Sequence, residues 1–128
     1  MSSLMILLAG PYRSGTGDDP EKMRQNLAQL ERVALEVWNK GHLPVIGEWL
    51  ALPLMRTAGS KTVGDALYQA LGYPVADRLI TCCDAVLRLP GESKGADGDV
   101  AQAKARGLPI LNSIDELAQV AVPPGRIG

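Results

Sequence analysis

Cysteine is nearly missing from this chain. It has two, Cys82 and Cys83, and they are adjacent. Adjacent thiols make neither a disulfide framework nor the spaced ligand set of a zinc site, so two buried thiols in a reducing cytoplasm are expected. Histidine is almost as scarce, with His42 alone, and no metal or other cofactor is expected. A run of one charge sign is lacking too, and the net charge is −1. That argues against a nucleic-acid or membrane-surface role, which needs a concentrated basic face. No segment is long enough to span a bilayer. The apolar start "MSSLMILLAG" is short, lacks a basic flank and soon meets Pro11 and Arg13. A buried first strand explains it better than a signal peptide.

What is present fits an ordinary globular domain: 128 residues, 46% apolar and 21% charged, with no internal repeat or linker. One domain is expected over residues 1–121, with a frayed tail over 122–128. Leu4 to Ala9 is a continuous apolar run, the mark of a strand buried on both faces. After the loop "GPYRSGTGDD", Asp19 reads as an N-cap with Pro20 in the first helical position. Met23, Leu27, Leu30, Ala34 and Val37 then recur at helical spacing, and Gly41 is placed to end that helix. "HLPVIG" reads as a second strand, at a sheet edge because Pro44 cannot donate to a ladder.

The middle segment "EWLALPLMRTAGSKT" reads as a loop with a short helical piece near Leu50 to Met55. "VGDALYQALG" reads as a helix closed by Gly72, and Pro74 to Cys82 as another. "DAVLRL" is a third strand, and "LPIL" a fourth. Between them lie a glycine turn and a helix of about ten residues stopped by Gly107. "SIDELAQVA" reads as a short last helix, with Ser113 and Glu116 forming a capping box.

Strands alternating with helices imply a parallel sheet covered on both sides. The expected fold is α/β, a Rossmann- or flavodoxin-like three-layer sandwich of four or five strands. The order is about 2-1-3-4, with any fifth strand unplaced. Ligands of such sheets bind beyond the carboxyl ends of the strands. There the loops "GPYRSGTGDD" and "PGESKGADGD" would line one crevice.

In the second loop, Gly91 and Gly95 allow close backbone approach, Ser93 offers a hydroxyl, and the following helix start favours an anion. A phosphate cradle and a plain tight turn with a capping acid both fit. Asp99 is either a nucleophile or electrostatic stabiliser, or a complement to the helix dipole. Asp97, nearer the cap, suits the structural role. Asp77 is either a second acid beside Asp99 or a solvated carboxylate paired with Arg78 or Lys104. Asp84, at the amino end of a strand, reads as structural. Arg13 can clamp a phosphate or carboxylate. Tyr12 and Trp49 can stack on a base or belong to the core. His42 reads as a surface residue. Leu50, Leu52, Leu54 and Met55 suit either an interface or the core.

Three stretches together carry a resemblance: "ILLAGPYRSG", "ADRLITCCDAVLRL" and "SKGADGDVAQAKARGLPI". In the last, Gly95, Asp99, Val100, Ala103 and Gly107 fit a family spacing. Over roughly residues 5–111 the chain resembles the nucleoside 2-deoxyribosyltransferases and the related 2'-deoxynucleoside 5'-monophosphate N-glycosidases, and looks closest to a small uncharacterised branch of them. The resemblance implies Asp99 as nucleophile at the anomeric carbon and Asp77 as the acid that protonates or orients the leaving base. It implies Ser93 and Gly95 as the phosphate-contacting turn, and Gly10 and Arg13, beside Tyr12, as the loop holding sugar and phosphate. The ligand would be a small nucleoside or nucleotide, and the assembly a homodimer or larger homo-oligomer. The family carries glutamate where this chain has Asp99. That withdraws the carboxylate by roughly an ångström, a displacement that can cost about a hundredfold in rate. A non-catalytic nucleotide-binding module of the same fold is the alternative expectation.

Overall fold

The computed structural model describes residues 2–121. The expected tail, 122–128, lies outside the described residues. Four strands form one all-parallel sheet: β1 (Met5–Ala9), β2 (Leu43–Ile46), β3 (Ala85–Arg88) and β4 (Ile110–Leu111). Their order is β2-β1-β3-β4, as expected from the edge proline, and no fifth strand joins them among the described residues. Ile6 pairs with Pro44 on one side and with Ala85 on the other, so β1 is central. Pro44 is tolerated because an edge strand carries a ladder on only one side.

Alternating side chains of β1 enter two separate cores. Ile6 and Leu8 pack with Leu30, Ala34 and Val37 of helix α1 (Pro20–Asn39). Leu7 and Ala9 pack with Leu79 and Ile80 of α3 (Ala66–Ile80) and with Ala96 and Ala103 of α4 (Lys94–Ala105). Each fully buried aliphatic side chain contributes about 1.5–3 kcal/mol, which makes β1 the hydrophobic axis of the fold. Helices on both faces complete the Rossmann- or flavodoxin-like sandwich. The start of α1 is as the sequence implies: Asp19 Oδ1 accepts from the Glu21 amide at 2.9 Å, and Pro20 is the first helical residue.

Two expectations about the middle of the chain are corrected. The segment read as a loop is a full helix, α2 (Gly47–Ala58), with Pro53 inside it. Proline there forfeits one backbone hydrogen bond. Burial of Ala51 and Met55, with packing of α2 against α3, offsets that cost. The two helices expected on either side of Gly72 are one, α3, running through Gly72 and Pro74. A Cβ at Gly72 would stand 3.1 Å from the Met55 methyl carbon, so this glycine permits close approach of α2 and α3 rather than a stop.

Asp65 sets where α3 begins. Its carboxylate accepts from the amides of Tyr68 (2.9 Å), Lys61 (3.0 Å) and Thr62 (3.3 Å) and from the Ser60 hydroxyl (2.8 Å). These donors, the Tyr68 and Lys61 amides first, hold its pKa down to about 2. A depressed carboxyl pKa adds stability that is complete above the unfolded value near 3.8 and is lost as pH falls towards 2. Asp65→Ala is therefore expected to lower the urea midpoint clearly at neutral pH and hardly at all near pH 2. Equal losses at both would remove the carboxylate from the account.

Beyond β4, "SIDELAQVA" forms only a single 3-10 turn (Ile114–Glu116) rather than a helix. Ser113 Oγ accepts from the Asp115 amide at 3.2 Å, and Glu116 Oε2 accepts from the Asn112 amide at 2.7 Å. The chain then straps across the amino end of the sheet. Lys40 Nζ donates to the carbonyls of Ile114 and Leu117, both at 2.9 Å, and the Val120 amide donates to the Lys40 carbonyl at 2.8 Å.

His42 bolts the strap down and is not the surface residue expected. It is 1% exposed. Its Nδ1 accepts from the Leu4 amide at 3.0 Å, which leaves Nε2–H to donate to the Ala118 carbonyl at 2.7 Å. Asp84 is structural, as expected, accepting from the Met5 amide at 2.8 Å. The cysteines differ from each other: Cys83 is buried, its thiol pushed up to about 11 chiefly by that burial, and Cys82 is exposed. Among the described residues no helix is long and apolar enough to cross a membrane.

Candidate functional site

A cavity of about 720 Å³ opens at the carboxyl ends of β1 and β2 and beside the turn after β3. Loop 10–18, one side each of α2 and α3, and the segment from Gly91 to Asp99 form its walls. The two loops expected to share a crevice do share it, because β1 and β3 are neighbours. They also touch. A Cβ at Gly10 would stand 3.0 Å from Leu89 Cβ, and one at Gly91 2.7 Å from Pro11 Cγ. Gly91 has φ +114°, a conformation that also favours glycine.

The turn after β3 is built by Ser93 and Arg88. Ser93, 5% exposed, is the N-cap of α4, its Oγ accepting from the Ala96 amide at 3.1 Å. The hydroxyl proton is not consumed by that bond, so Ser93 can cap the helix and still donate into the cavity. Arg88 donates to the Gly91 carbonyl at 2.9 Å, to the Leu89 carbonyl and to Asp97 Oδ1 at 3.0 Å. Asp97 has the structural part expected of it, as an ion-pair partner in the first turn rather than as the cap. Gly95 lines the cavity with room around it; a Cβ there would meet only Tyr73, at 4.0 Å.

Asp99 lies in the second turn of α4, one turn deeper than a helix-start residue, and faces the cavity. Burial raises its pKa to about 7, with the negative charges of Glu48 and then Asp77 adding to the rise and Arg88 opposing it. Glu48, in the first turn of α2, lines the same cavity, and burial raises it as well. Tyr12 and Tyr68 stand on the wall beside them. Both phenols are raised first by burial, Tyr68 to about 12, and the charge of Glu48 acts on each.

Arg13 lines the cavity but already holds an anion. Its Nε and Nη2 donate to the two Asp18 carboxylate oxygens at 2.7 and 3.1 Å, and its guanidinium carbon lies 5.8 Å from the Tyr68 ring centre. A phosphate reaching Arg13 would compete with Asp18.

Two expected site residues stand outside the cavity wall. Trp49 is 40% exposed and donates from Nε1 to Glu31 Oε2 on α1 at 2.8 Å, so it offers no base-stacking face there. The aromatic side chains on the cavity wall are those of Tyr12, Tyr68 and Tyr73. Asp77 is exposed and accepts from Gln102 Nε2; it acts on Asp99 through its charge. The four apolar residues left between interface and core divide evenly. Leu50 and Leu54 are about half exposed, and Leu52 and Met55 line the cavity.

Glu48 and Tyr68 were missed from the sequence. A signal for Glu48 existed in "VIGEW": it directly follows β2, at a strand-to-helix junction like those that supply the other walls. Reading the segment as a loop hid it. Among the described residues no group of three or more His, Cys, Asp or Glu is placed to hold one metal ion. No protein-family model matches this chain, and no curated protein matches it.

Proposed function

We propose that the protein cleaves or transfers the N-glycosidic bond of a nucleoside or nucleotide, as a deoxynucleoside 5'-monophosphate N-glycosidase-like hydrolase with Asp99 as nucleophile. The observation that carries this reading is the setting of Asp99. It is a half-buried carboxyl with no hydrogen-bond partner among the described residues, on a cavity wall shared with the anion-favouring start of α4. A pKa near 7 leaves a large ionised fraction at neutral pH. Ionised Asp99 attacks the anomeric carbon, and the carbon–nitrogen bond breaks with its electron pair leaving on the base. Water then releases the sugar from the ester, or a second base accepts it. Ser93 and the first amides of α4 would bind the phosphate, with Gly10 and Arg13 alongside. No cofactor takes part in this scheme.

The second reading, a nucleotide-binding module without turnover, draws on the same cavity and on the short side chain at position 99. Incubation with a panel of deoxynucleoside monophosphates, with free base followed by chromatography, separates the two. Base release is expected. Tight binding without release favours the module, and neither binding nor release overturns both. The reading includes a homodimer or larger assembly, to which the half-exposed Trp38, Leu50 and Leu54 would contribute. Sedimentation at monomer mass would remove that part.

A further inference from the structure

Of the acids among the described residues, only Glu48, Asp65 and Asp99 are partly buried rather than exposed. Asp65 is saturated by its cap bonds. Asp99 and Glu48 are left, and both face the cavity. Glu48 finds only its own backbone N–H. Nothing in the packing of α2 uses its carboxyl, yet the fold keeps that carboxyl half-buried beside a second one. Burial raises both carboxyls, and the charge of Glu48 raises Asp99 further, so the two resist being ionised together.

Ser93, Lys94 and Gly95 line the cavity at the start of α4, and Ala51, Leu52, Met55 and Ala76 line it from α2 and α3. A nucleotide bound with its phosphate at the start of α4 and its sugar at Asp99 would turn its flat base towards the side chains of α2 and α3, on the helix that carries Glu48.

We propose that Glu48, rather than Asp77, is the proton donor to the departing base. This rests on the N-glycosidic reading above. In the first step Asp99 forms the bond to the anomeric carbon, and the carbon–nitrogen bond breaks. The Glu48 carboxyl proton passes to the nitrogen that receives the electron pair. In the second step ionised Glu48 takes a proton from water, whose oxygen attacks the anomeric carbon. The ester electrons return to Asp99, and both acids regain their starting states. Overall, nucleotide and water give free base and sugar phosphate. Asp77, held by Gln102 outside the wall, is a positioning charge.

The singly protonated pair is the working form, so activity falls on both sides of a maximum. The titratable and charged groups that share the cavity wall with Glu48 are Tyr12, Arg13 and Asp18 from the loop after β1, Tyr68 and Tyr73 from α3, Glu92 from the turn after β3, and Lys94 and Asp99 from α4. Asp18 neutralises Arg13, while Asp77 and Arg88 act on Asp99. Burial raises the phenols of Tyr12 and Tyr68 further from the neutral range.

The experiment compares wild type, Glu48→Gln and Asp99→Asn on two substrates. One is a natural deoxynucleoside monophosphate. The other is p-nitrophenyl 2-deoxyriboside 5-phosphate, whose phenolate departs without a proton. Glu48→Gln is expected to lose about 10²- to 10⁴-fold in kcat on the natural substrate and about tenfold or less on the activated one. It should also lose the high-pH limb, and its low-pH limb should move down as the Glu48 charge is removed from Asp99. Asp99→Asn should lose both substrates. Glu48→Asp, which keeps an acid, should recover part of the loss and serves if the glutamine variant folds poorly. Equal losses on the two substrates, or an unchanged pH profile, overturn the proposal while leaving the glycosidase reading intact. If wild type releases neither base nor nitrophenol, both fall.

Discussion

Asp99→Asn is expected to lower base release by on the order of 10³-fold or more while changing nucleotide affinity by less than about tenfold. Asparagine keeps the shape and removes the nucleophile. The polar groups at the start of α4, the Ser93 hydroxyl among them, are untouched. Chromatographic assay of free base beside calorimetric titration with the same nucleotide measures both quantities. Unchanged release would strip Asp99 of its role.

The same substitution has a second readout with a definite sign. The folded-state pKa of Asp99 is raised from 3.8 to about 7, so its ionisation opposes folding. Stability attributable to the protonated form is complete below the unfolded pKa and is lost as pH rises through about 7. Asp99→Asn should therefore raise the urea midpoint at about pH 8 and leave it nearly unchanged at about pH 4. A variant that gains stability as it loses activity marks a carboxylate kept for chemistry rather than for the fold.

His42→Ala should produce the largest stability loss among single polar substitutions, about 3–5 kcal/mol by urea unfolding. The ring is 1% exposed and joins two chain segments that are distant in sequence. Removing it leaves the Leu4 amide and the Ala118 carbonyl without their partners and opens a cavity beside β2. Against a typical total of about 5–15 kcal/mol, that is a large fraction. A loss below about 1 kcal/mol would mean that water replaces both bonds and that the strap over residues 117–120 does not depend on the histidine.

How much of this was legible in the sequence differs from element to element. The Asp19–Pro20 start of α1 and its buried stripe could be read because cap and periodicity are local. The strand order could be read because Pro44 marks an edge and parallel connections then leave few alternatives. α2 could not, since Pro53 is a local breaker and the packing that overrides it comes from α3. Gly72 and Pro74 misled for the same reason: they look like stops, and only the close approach of Met55 shows why a glycine lies in mid-helix. His42 looked like a surface residue because its partners are about forty and about eighty positions away.

The candidate site divides along the same line. Asp99 and the glycine turn before it were legible, since a strand, a turn and a helix start follow one another directly in the chain. Asp77 and Trp49 were given places in the site that their packing does not support, and Glu48 was hidden inside a misread helix. By itself the sequence determined an α/β chain with a parallel sheet, one edge strand and an acid-bearing turn after its third strand. Only the tertiary structure decided which acids meet. Backbone pattern and capping act over a few residues, whereas the burial that raises Asp99 and Glu48 comes from four elements closing around one cavity.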